Sequence, residues 1–195
     1  MAVLASERKE ALAAAAEQEL KSLQARGVRI SGNAFSPILL IKGDLDEAER
    51  AGGELLAGAD GGALRSALSR LGWEPEDFCA LSAVAGAGDP SVVPDVDPGQ
   101  LLTVDLFREA VEALDPEAII LLDNTAADLL RETYADALAI IEDFNTAMLM
   151  PGLVAQVLGR RVLALDGFEA SLTDKREKQR MWAYIKQLPP LGSAY

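Results

Sequence analysis

The stretch Ile38-Leu-Leu-Ile-Lys-Gly-Asp-Leu-Asp-Glu-Ala-Glu-Arg50 decides how the rest of the chain is read. Four consecutive branched apolar residues have no helical spacing and no polar alternation. Such a run, closed by a glycine, predicts a strand buried on both faces, as in a parallel sheet covered by helices. Pro37–Ile41 is therefore the first predicted strand. It runs straight into a segment holding Asp44, Asp46, Glu47 and Glu49. In open α/β sheets ligands gather where strands end, so this density of carboxylate at a strand end is the question the sequence poses.

Working outward, the same pattern recurs. Phe78–Val84, Ala118–Leu122 and Val162–Leu165 read as three further strands. Helices are predicted over residues 4–25, from Asp60 as cap to Leu71, from Thr103 to about Leu114, over Asn124–Glu132, and from Thr173 as cap to Gln187. Leu45–Ala57 reads as loop with some helix, and residues 86–100, with three Pro and three Gly, as an irregular connection. Residues 135–160 fit helix and strand equally well, with a turn at Leu158-Gly159-Arg160 preferred. Strands alternating with helices predict a three-layer α/β/α sandwich around a mostly parallel four-stranded sheet. The expected organisation is an N-terminal helix over residues 1–30 packed on the domain, one domain over 31–188, and a loosely packed or disordered polyproline-like tail over 189–195.

Composition narrows the chemistry. The 195 residues suffice for one sizeable core, and half are hydrophobic. No apolar run is long enough to span a bilayer and the N-terminus mixes charges into its apolar positions, which predicts a cytoplasmic protein without a secretory signal. Cys79 is the single cysteine and histidine is absent, so an internal disulfide and a cluster held by this chain's own thiolates are excluded, together with the commonest general base and metal ligand. No cofactor and no metal are expected. The spacing of Asp44, Asp46, Glu47 and Glu49 is not that of a calcium loop, and a solvated acidic loop is the preferred reading. Gly52–Leu64 lacks the Lys-Ser or Lys-Thr of a phosphate cradle, so its glycines read as turn and packing glycines. Net charge is −13, a field that repels nucleic-acid backbones. Seven bases against four acids from Arg160 onward make one small basic end, where Asp174–Arg180 reads as a solvated helical face.

Four segments in serial order carry a resemblance. IKGDLDEAERAGGELLAGADGGAL keeps Gly53, Gly58 and Gly61 with Leu64 opening a helix; LGWEPEDF leads into the second strand; ALDPEAIILLDNTAADLL retains Thr125, Ala126 and Ala127; and RVLALDGFEASL is followed by a closing helix with Trp182. Together these segments, covering most of residues 36–188, resemble the uracil-DNA glycosylase superfamily, above all its bacterial and archaeal iron–sulfur branch. The resemblance implies that fold, yet the family's functional positions have changed. Gly43 stands where the family has the acid that activates water, Leu56 replaces the Phe that stacks on uracil, Ser82 the Asn that reads its edge, and Gly167 the His that stabilises charge on its oxygen, with Phe168 for the Pro that follows. The chain is thus expected to be a binding or assembly module without glycosylase activity. Its partner, a protein or a small ligand, is unnamed by the sequence; nucleic acid is disfavoured, no membrane is expected, and the oligomeric state is open. Two alternatives stand beside this. One is a divergent glycosylase or nucleotide-processing hydrolase using Asp44 or Asp166. The other is a small-ligand binder whose pocket is bounded by Lys42, Leu56, Ser82 and Phe168. Phe168 reads as tucked onto the core or, alternatively, as a wedge or anchor at a loop tip.

Overall fold

The computed structural model describes residues 2–74, 78–93 and 96–192. Its six strands are β1 (Ile30–Gly32), β2 (Ile38–Lys42), β3 (Phe78–Ser82), β4 (Ala118–Leu121), β5 (Val154–Val157) and β6 (Arg160–Ala164). They form one sheet in the order β1-β3-β2-β4-β6-β5. The four predicted strands are the inner ones and run parallel, while β1 and β5 join the edges antiparallel. The sheet is accordingly mixed and six-stranded, which corrects the four-stranded expectation. Both added strands are short edges: β1 has three residues, and β5 alternates between buried and exposed positions instead of forming an apolar run.

Alternation along the inner strands splits the core in two. Leu39, Ile41, Leu81, Ile119 and Leu121 face α1 (Ala2–Ala25), α4 (Val104–Leu114) and α5 (Asn124–Thr133) through Leu23, Phe107, Val111 and Leu130. Ile38, Leu40, Phe78, Ala80 and Ile120 face α3 (Ala59–Arg70) and α9 (Lys175–Ile185) through Leu64, Leu68, Met181 and Ile185. Helices therefore lie against both faces of the sheet. Cys79 belongs to the first cluster, and burial pushes its thiol up to about 12, the state of an inert core residue.

Local chemistry fixes the helix starts. Thr103 accepts from Leu106 N and caps α4; Asp123 accepts from Ala126 N and caps α5; Asp174, one residue beyond the predicted Thr173, accepts from Arg176 N and Glu177 N and caps α9. Asp60 is not a cap. Gly58 takes that place without a side-chain bond, and Asp60 is buried inside the first turn of α3. The end of α1 meets the body: Leu23 is buried, whereas Glu7–Glu19 is exposed apart from half-buried Ala16. At the other terminus, the carbonyls of Leu188 and Pro189 accept from Trp73 Nε1 and Arg161 Nη1, each at 2.7 Å, and Leu191 N donates to Glu117 Oε1. The tail is thus strapped to the domain as far as Leu191; residues 193–195 lie outside the described residues.

The hairpin of β5 and β6 turns at Leu158 (φ 48°) and Gly159 (φ 83°). Two consecutive left-handed residues suit Asn-Gly, and a leucine there costs on the order of 1 kcal/mol. Because Leu158 is more than half exposed, Leu158→Asn is expected to stabilise the protein by about 1 kcal/mol, raising Tm by roughly 2–4 °C in thermal unfolding.

Candidate functional site

The chain leaves β2 toward β3 on one side and leaves β4 toward β6 on the other, so the crevice at their carboxyl ends lies between β2 and β4. Lys42 is the last residue of β2. Strand alternation turns it to the same face as Ile38 and Leu40, beneath α3, where it is only 3% exposed. A charge so placed needs partners. Asp60 Oδ2 stands 2.7 Å from Lys42 Nζ and Glu49 Oε2 2.9 Å, both carboxylates as buried as the lysine. Glu169, on the short helix α8 (Phe168–Ser171), approaches to 3.4 Å from the solvent side. Burial pulls the lysine toward neutrality, but hydrogen bonds to Asp60 and Glu49 outweigh it and hold its pKa above the ordinary value.

Each carboxylate is itself held. Glu49 closes a capping box on α2 (Glu47–Arg50): Asp46 accepts from Glu49 N, Glu49 Oε2 accepts from Asp46 N, and Glu49 Oε1 accepts from Leu56 N at 2.8 Å. Asp60 Oδ1 accepts from Gly61 N at 2.8 Å. Asp123, at the end of β4, accepts from Gly43 N and Asp44 N as well as capping α5, which ties the β2 loop to its neighbour. Asp44 accepts from Thr125 Oγ1 at 2.6 Å. The acidic loop is therefore not simply solvated. Glu49 is a buried counter-ion, Asp46 a cap and Asp44 a hydrogen-bond acceptor, while Glu47 remains in solvent.

The predicted site residues are dispersed. Lys42, Asp44, Gly167 and Phe168 line a cleft of about 520 Å³ over the β2–β4 crevice, together with Asp60, Asp123 and Glu169. Gly43 opens on a separate cleft of about 580 Å³ toward β3. Leu56 is buried, with φ at 57°, and lines a void of about 10 Å³, too small for any ring. Ser82 is fully buried and spends its hydroxyl on Val84, donating to its carbonyl and accepting from its N–H. Phe168 is tucked into the core against the α3 and α9 cluster, so the wedge alternative is set aside. Asp166 is half exposed and pairs with Arg180 at 3.6 Å, outside the β2–β4 cleft. A Cβ at Gly43 would stand 2.6 Å from Thr125 Cβ and Cγ2, so position 43 has no room for an acid unless Thr125 moves.

Neither a scan against protein-family models nor a search of the curated proteins returns a match. Among the described residues, no group of His, Cys, Asp and Glu gathers in a way that could hold a metal ion, and no helix is long and apolar enough to cross a membrane. Sequence reasoning missed Glu49 and Asp123 as structural acids and took Asp60, the counter-ion of Lys42, for a helix cap. Two signals pointed to Glu49 and Asp60: the Asp-x-x-Glu spacing of residues 46–49 is that of a capping box, and a lysine closing an apolar strand must find buried carboxylates somewhere in the fold.

Proposed function

We propose that this chain is a binding module on a uracil-DNA glycosylase-like scaffold, without base-excision activity. The observation that carries the reading is the dispersal of Gly43, Leu56, Ser82 and Gly167. Two of these side chains are sealed in the core, and the glycines open onto two different clefts. Breaking an N-glycosidic bond develops negative charge on the departing base, which must be met by a donor aimed at it. Lys42 is the cation lining the β2–β4 cleft, and Asp60 and Glu49 already occupy it. The remaining ionisable groups of that cleft, Asp44, Asp123 and Glu169, are carboxylates that oppose such charge. Parallel inner strands with helices on both faces agree with the scaffold.

The hydrolase alternative retains one carboxylate. Asp44 lines the cleft, whereas Asp166 is engaged with Arg180 outside it. Under single-turnover conditions with single- and double-stranded oligonucleotides containing uracil, no base release above the uncatalysed background is expected. Release that Asp44→Ala abolishes would establish the hydrolase instead.

A further inference from the structure

In a chain with 31 acids and 18 bases, half of the arginines are ion-paired among the described residues, Arg108, Arg131 and Arg180 among them. Arg26 pairs with Glu109, Arg160 with Glu112 and Asp115, and Arg161 with Glu117. Of the arginines without an ion pair there, Arg29 and Arg50 are the two that share one cleft. Arg29 Nη2 donates to Gly53 O at 2.7 Å and Arg50 Nε donates to Leu45 O at 2.8 Å, and neither has a carboxylate within ion-pair distance among the described residues. Both line the 580 Å³ cleft beyond Gly43, and among the described residues no acid stands in its wall. The glycines there make way for one of them: a Cβ on Gly86 would lie 2.6 Å from Arg29 Cγ and Cδ, so the arginine stem lies across a residue that has no side chain. Its carbonyl bond then anchors the guanidinium, and most of the five N–H donors of each fork are left for a ligand.

The geometry points to this cleft as a binding site for a small molecule carrying one oxyanion, a phosphate or a carboxylate, on a compact apolar body. Arg29 and Arg50 would take the oxyanion, since planar forks match both groups bidentately, and Leu45, Val84 and Pro98 would take the body. Polyanions are disfavoured, because exposed Glu47 and Glu54 stand on either side of Arg50 and Gly53 in the chain and the whole chain is strongly negative. The inference rests on the binding-module reading and gives it a ligand class.

Isothermal titration with phenyl phosphate, benzoate and neutral benzyl alcohol tests it. One or both anions should bind saturably and the alcohol should not, the stronger anion telling phosphate from carboxylate. Arg50→Gln, at an exposed position, and Arg29→Lys, which keeps the charge but loses the fork, should each weaken the preferred anion about tenfold. Equal binding of benzyl alcohol, no binding of either anion, or anion affinity untouched by Arg50→Gln would overturn the site. Should Arg29→Lys fail to fold, Arg50→Gln decides alone. Base release by the wild-type chain would instead overturn the binding-module reading while leaving the titration outcome to stand separately.

Discussion

Replacing Lys42 with methionine is expected to destabilise the protein by about 3–5 kcal/mol, because it strands two buried carboxylates without their counter-ion. In thermal unfolding that corresponds to a fall of roughly 10 °C or more for a chain of this size. The loss is asymmetric in an informative way. Adding Glu49→Gln and Asp60→Asn to Lys42→Met removes the orphaned charges, and this triple variant is expected to recover much of the stability even though it has lost every ion pair of the set. A triple variant weaker than Lys42→Met would show that the carboxylates stabilise the fold independently of the lysine. The sign of the pH dependence follows from the same group. A lysine whose folded pKa lies above its unfolded value, ordinarily 10.5, contributes stability that is fully present below that value and is lost as pH rises through the folded one. Alkaline unfolding of the wild type should therefore steepen above pH 10.5, and Lys42→Met should lack that component.

The second large effect sits on the adjoining helix. A Cβ at Gly61 would lie 1.7 Å from Leu56 O and 2.6 Å from its carbonyl carbon. Leu56 cannot yield easily: its N–H is held by Glu49, its carbonyl accepts from Arg65 Nη1 at 2.7 Å, and its φ is already left-handed. Gly61→Ala is expected to cost about 3 kcal/mol or more, at the upper end for overpacking. Gly62, its neighbour in α3, is exposed, and a methyl group there would meet nothing within 4 Å. Gly62→Ala should therefore stabilise by about 0.5–1 kcal/mol through helix propensity alone. Urea unfolding of the two variants separates close packing from propensity within one helix.

The reach of the sequence can be seen in particular residues. Ile38–Ile41, Phe78–Leu81 and Ala118–Leu121 are buried on both faces, so their apolar runs mark them as strands without any tertiary knowledge. Edge strands carry no such mark. Ile30–Gly32 is three residues of half-exposed chain, and Val-Ala-Gln-Val satisfies helix and strand periods alike, so partners distant in sequence decided both. The site was harder still. Glu49 and Asp60 lie 7 and 18 residues beyond Lys42, and nothing in a single sequence distinguishes an acid that folds back onto a buried cation from one that faces water. Asp46–Glu49 was the exception, its capping box being visible in the spacing. Arg29 and Arg50 stand 21 positions apart with no motif to join them; the residue entering β1 and the end of α2 bring them to one cleft.

The polar groups at the head of β2 are spent on one another, with the Lys42 ammonium locked between Asp60 and Glu49 and closed to chemistry. Lysine ammonium groups can be followed one by one by ¹H–¹⁵N correlation across pH, with Lys42 assigned by Lys42→Met. A solvent-protected Lys42 signal should persist past pH 10.5 and be displaced by Glu49→Gln and by Asp60→Asn. A Lys42 ammonium that exchanges as fast as surface lysines, or that titrates at or below its ordinary value, would contradict that lock.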